Sequence, residues 1–379
     1  MIPLFEKGAG IKPSTIESAI RKVAGRSLAG ILAILLLLNI SCGKSDGDGD
    51  PNPPPSGNKN YTQVGLVTDV DGGPYSSTNV DPKLVNAWGI AFTPTGAFWI
   101  ANAGSGFSTI YDNSGSTLLP AVAIASPGSP SGGKATGIVY NNTTDFKVGG
   151  VPAKFIFDTE DGTIAAWASG TVAPIVADRS AANAVYKGLA LAKDGADYFL
   201  YAANFYAGTI DVFDKDFNLV NTKPFADATM PAGFAPFNIR SIGDQLYVTY
   251  AKQETGKEDD EAGAGNGYVN IFNPDGSFVK RFTSQGSLNS PWGIVAAADG
   301  FWEVDNTIII GNFGDGKINV FDQDGKLLGT LTRGGTPIVI DGLWALENNV
   351  PSTNAKQLFY TAGPSNETHG VFGYVMKSF

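Results

Sequence analysis

The chain of 379 residues holds one Cys, one His and three Met, and only 16% of its residues are charged. A lone Cys cannot close an internal disulfide, so a protein of this make-up depends on a packed core for stability. A lone His, His369, excludes zinc sites built on two or three imidazoles. No G-x-S-x-G, H-E-x-x-H or paired C-x-x-C occurs, which removes the common hydrolase, zincin and redox signatures. The segment GSPSGGKA at 128–135 nearly matches a phosphate-binding loop, but Ala135 replaces the required hydroxyl residue. The apolar run LAGILAILLLL at 28–38 falls short of the roughly 20 residues that span a bilayer. Cationic surface is scarce too. The net charge is -10, and residues 1–41 carry five Lys or Arg against two Glu, leaving -13 on residues 42–379. That balance excludes nucleic acid as a partner, because phosphate binding needs a cationic footprint.

What is abundant is Gly (48), Pro (22) and aromatic residues (11%), the composition of many short strands joined by turns. At the N-terminus Arg21, Lys22 and Arg26 precede the apolar run, as in a secretory signal. The following NISC resembles the lipobox of bacterial lipoproteins, in which the Cys, here Cys42, becomes the lipidated first residue. Residues 1–41 thus read as a lipoprotein signal peptide. Residues 42–60, ending in DPNPPPSGNKN, read as a flexible acidic and Pro-rich tether without side chains that could order it. The acidic stretch after Cys42 resembles the surface-export signal of Bacteroidetes lipoproteins, which implies an outer-membrane anchor with the folded part on the extracellular or periplasmic side.

Residues 61–379 repeat. WGIAF at 88, TGIVY at 136, KGLAL at 187, FNIRS at 237, WGIVA at 292 and DGLWA at 341 recur at intervals of 48 to 55 residues. Each is followed by a second β-rich run and then by a third that alternates apolar and polar residues, as in GTIDVFD and GKINVFD. Six copies of a four-strand unit predict an all-β, six-bladed β-propeller of four-stranded antiparallel blades. The orphan strand YTQVGLVTDV at 61–70 is expected to complete the sixth blade from outside, pairing the two ends of the repeat.

This fold places the residue at the head of each innermost strand around the central channel. The expected ring is Trp88, Thr136, Lys187, Phe237, Trp292 and Asp341. Two readings of it stand: the aromatic members line a ligand pocket with Lys187 and Asp341 as polar anchors, or they plug the channel. The loops between second and third strands add Asp158, Asn204 and Asn312, oxygen donors suited to Ca²⁺ or Mg²⁺ or, alternatively, turn caps. His369 is a general base oriented by Glu367, or a turn residue. The acidic stretch 253–267 is a lid or cation site over the mouth, or a solvated loop.

DPKLVNAWGI at 81–90, VTYAKQ at 248–253, GNFGDGKINVFD at 311–322, IDGLWAL at 340–346 and TAGPSNETHG at 361–370 together resemble an uncharacterised family of secreted bacterial β-propeller proteins. That resemblance implies fold and export. More distantly the repeat is similar to NHL-repeat and gluconolactonase-like propellers, the latter implying a divalent metal at the channel mouth. The leading expectation is a surface-anchored module that binds a glycan or a protein through the ring face. A metal-dependent hydrolase or lyase using Asp341, Asp158 and Asn204, and a structural envelope protein, are the other readings.

Overall fold

Alternating apolar and polar residues bounded by Asp- and Gly-rich turns form short strands, and these strands assemble into six blades around an axis. The computed structural model describes residues 60–72, 77 and 79–378, so the expected signal peptide, Cys42 and all of the expected tether but Asn60 lie outside the described residues. Blade 1 runs outward from Ala87–Phe92 through Phe98–Asn102 and Phe107–Tyr111 to Thr117–Ser126. The innermost strands of blades 2 to 6 are Ala135–Tyr140, Tyr186–Asp194, Phe234–Ile242, Pro291–Ala296 and Leu343–Glu347. These six strands pack side by side in chain order, and the sixth returns against the first.

Closure is as the repeat predicts. Tyr61–Thr68 pairs antiparallel with Val371–Lys377 and, with the short strand Asn79–Val80 added parallel outside it, becomes the fourth strand of blade 6. An Asp69–His369 contact (2.8 Å to Nδ1) holds the end of this strand to the loop before its partner, and Gly370 N–H donates to the same carboxylate. The last sheet therefore contains both ends of the repeat, so the ring has no free seam.

The core consists of wedges between neighbouring blades. Trp99 of blade 1 stacks on Phe155 of blade 2 at 4.1 Å, and Ile309, Leu346 and Tyr360 close the wedge between blades 5 and 6. Much of the acidic surplus is spent on turns between third and fourth strands. Asp112, Asp214 and Asp322 each accept two backbone N–H groups, from the residues two and four positions on.

Candidate functional site

One irregularity builds the centre. In every innermost strand the register against the second strand slips at the same place: between Ala87 and Ile90, Ala135 and Ile138, Tyr186 and Leu189, Pro236 and Asn238, Pro291 and Ile294, and Leu343 and Leu346. Such a bulge re-aims a side chain. It makes Trp88, Thr136, Lys187, Phe237, Trp292 and Trp344 the equivalent ring positions. Asp341 is therefore not in the ring: it is exposed, three residues ahead of Trp344, and accepts the Ser365 N–H at 2.9 Å. Its Asp-Gly imitates the Trp-Gly of other blades, but Gly342 is a turn glycine at φ 65° whose added Cβ would meet the Gly363 carbonyl at 2.2 Å. The ring glycines serve differently. A Cβ on Gly89 or Gly293 would lie 2.6 Å from the backbone carbonyl of the next blade's ring residue.

The ring fills the channel at this level. Trp88 stacks on Trp344 with centroids 3.4 Å apart, Trp292 meets both edge-on at 5.9 Å, and Phe237 lies 5.9 Å from Trp344. All four are buried. Trp292 Nε1 donates across the axis to the Lys187 carbonyl at 2.7 Å, and Trp344 Nε1 donates to Asn86 Oδ1 at 3.0 Å. Of the two readings of the ring, the geometry is that of a plug.

Above the plug the Lys187 side chain passes over Trp88, its Nζ 5.2 Å from the ring centroid, and ends between Glu160 and Asp259. Burial works against its charge, yet these two carboxylates outweigh it and hold the ammonium above the usual lysine range. Glu160 comes from blade 2, and Asp259 from the acidic stretch of blade 4. That stretch is thus a strap pinned across the mouth, with Gln253 Nε2 donating to the Phe205 carbonyl at 2.6 Å as a second tie. Burial, with Glu160 nearby, raises the Glu367 carboxyl, which accepts from Asn86 Nδ2 at 2.5 Å. Three successive left-handed residues, Ser365, Asn366 and Glu367 (φ 59°, 54° and 63°), bring it there. Glu367 does not orient His369; Asp69 holds that imidazole instead.

Asp158, Asn204 and Asn312 are each engaged in hydrogen bonds of their own. Asp158 Oδ1 is bonded by the Thr136 hydroxyl at 2.9 Å and the Gly137 N–H at 2.6 Å, which the bulge leaves without a ladder partner. Complete burial pushes this carboxyl up to about 7 against those hydrogen bonds. Asn204 Nδ2 donates to Asp211 at 3.1 Å within blade 3, and Asn312 Nδ2 to the Ser287 carbonyl at 2.8 Å in the connection that enters blade 5. Among the described residues no group of three or more His, Cys, Asp or Glu is arranged to hold a metal ion.

The open space lies at the other end of the axis. A funnel of about 470 Å³ is walled by Ile90, Ile138, Leu189 and Ala192, with Tyr198 and Arg240 among its polar lining. It narrows toward a void of about 20 Å³ beneath Trp292. Arg240, from blade 4, forms an ion pair with Glu347 of blade 6 across the inner end of blade 5. The Glu347 side chain is 5% exposed and that of Arg240 32%. Nothing in the repeat pattern marks this site, because its walls are ordinary inner-strand residues.

No protein-family model matches the chain. It is 35% identical over 317 residues to "Uncharacterized protein R648" of Acanthamoeba polyphaga mimivirus, covering 79% of this chain and 77% of that protein. A second mimivirus protein, "Uncharacterized protein L690", is 34% identical over 322 residues, covering 79% and 82%. The chain belongs to the family of these viral proteins. Its curated members are thus viral where the sequence motifs pointed to a bacterial family. A solved protein of unknown function from Bacteroides thetaiotaomicron superposes with a TM-score of 0.53 at 12% identity, over 83% of this chain and 76% of its own, a likeness of fold.

Proposed function

We propose that this member of the family is exported, anchored in a membrane through a lipid on Cys42, and acts there as a binding module for a small molecule rather than as an enzyme. The funnel is its binding site. The observation that carries this reading is the funnel itself. About 470 Å³ of concave space, lined by apolar side chains together with about as much polar surface, is of the size that a small-molecule pocket takes. The ring tryptophans, expected to stack on a sugar, are buried against one another and present no free face.

Titration with the neutral fluorophore N-phenylnaphthylamine tests the reading. Saturable binding at one site per chain is expected, with loss in Ala192→Trp, whose indole occupies the funnel. Binding that is absent, or that survives this substitution in a protein of native circular dichroism, removes the funnel as the site. Anchoring is checked separately: Cys42→Ala should abolish radiolabelled palmitate incorporation and shift the protein from the membrane to the soluble fraction.

A further inference from the structure

Resting on the funnel as the ligand site, we infer that its ligand is a small organic anion: an apolar body seated on the walls, with one carboxylate or sulfonate paired to Arg240. The chemistry of the lining carries this. Four charged residues border the cavity: Lys193, Arg240, Asp244 and Glu347. Glu347 is spent, because Oε2 accepts from Arg240 and Oε1 from the Asn348 N–H at 3.1 Å. Asp244 and Lys193 are exposed at the rim, one in the turn after Ile242 and the other near the end of its strand, where water screens them.

Arg240 differs from all three. It is two-thirds buried, and among the described residues Glu347 is the only side chain it is bonded to, through a single nitrogen. A guanidinium carries five N–H donors in a planar fork. The Glu347 contact fixes the direction of that fork and leaves donors to spare at the edge of the funnel. A carboxylate or sulfonate accepts from such a fork in a bidentate manner, and the partly desolvated setting strengthens the pairing. A cationic ligand finds no comparable partner, since the buried carboxylate is already neutralised. The side chains of Ile90, Ile138, Leu189 and Ala192 offer no hydrogen bond, so the part of the ligand seated on them is apolar.

The test uses two dyes of similar apolar body, anilinonaphthalene sulfonate and N-phenylnaphthylamine, which differ in the anionic group. Because Arg240→Gln alone strands a buried carboxylate and endangers folding, it is paired with Arg240→Gln/Glu347→Gln, which removes both charges. The sulfonate dye should bind the native protein and lose about tenfold or more in affinity in the double variant, as expected for a charged hydrogen-bond pair. The neutral dye should change by no more than about twofold, which also certifies the fold. Equal binding of the sulfonate dye to native and double-variant protein overturns the anionic ligand while leaving the funnel in place. Failure of both dyes to bind the native protein at a saturable site overturns the funnel and the inference together.

Discussion

Trp88 and Trp344 stack at an interplanar angle of 18°, joining the inner strands of the first and last blades across the seam of the ring. Their contact makes the plug a closing element as well as a filler, since it adds side-chain packing where the chain's two ends already pair in one sheet. Trp344→Ala should therefore cost about 3–5 kcal/mol of unfolding free energy in urea titration, the range for a buried large-to-small change. Asp341→Ala, at the position that sequence alignment alone places in the ring, should cost under about 1 kcal/mol, as an exposed turn residue does.

Gly293→Ala probes the bulge. A methyl group there meets the Trp344 carbonyl at 2.6 Å, a backbone atom that cannot rotate away. Overpacking of this kind costs about 1–3 kcal/mol. It should appear as a lower urea midpoint with an unchanged slope.

Asp158 gives stability a pH dependence. Burial raises its folded value to about 7, well above that of an ordinary exposed Asp, so the folded state holds the proton more tightly than the unfolded chain does. Stability from this group is whole below about pH 4 and falls as pH rises through 7, by an amount on the order of 4 kcal/mol at most. Asp158→Asn should remove that fall, and the difference between variant and native urea midpoints from pH 4 to pH 8 isolates it. A parallel pair of pH profiles refutes the assignment.

Lys187→Met/Glu160→Gln should release the strap without unfolding the ring, the second change sparing Glu160 the loss of its counter-charge. The methionine remains compatible with Trp88, whereas Asp259, whose side chain is 69% exposed, loses its partner. For a half-exposed pair the loss is about 1 kcal/mol, so amide exchange across Glu254–Glu261 should quicken about fivefold while blade interiors stay protected.

The repeat was legible because each inner strand has to expose one residue to the axis and bring its backbone close to the next, which leaves a Trp-Gly or its equivalent in most copies. Two details escaped for physical reasons. Asp341-Gly342 is a turn that copies the motif's spelling three residues early, and only strand register reveals Trp344. Likewise Asp158 aligns by eye with Asn102 and Asn204, whereas the ladder makes Thr159 their equivalent. The funnel was hidden more deeply: a cavity is a property of where inner strands stop filling space. Arg240 and Glu347, 107 residues apart, share no local pattern.

A propeller stoppered by its own tryptophans has a single door. On the funnel reading a guest enters and leaves by the same route, past the rim of Lys193 and Asp244. A second protein resting on that face would then need no contact with the guest to govern it. It would act as a shutter, slowing escape and entry by the same factor and leaving the equilibrium affinity untouched.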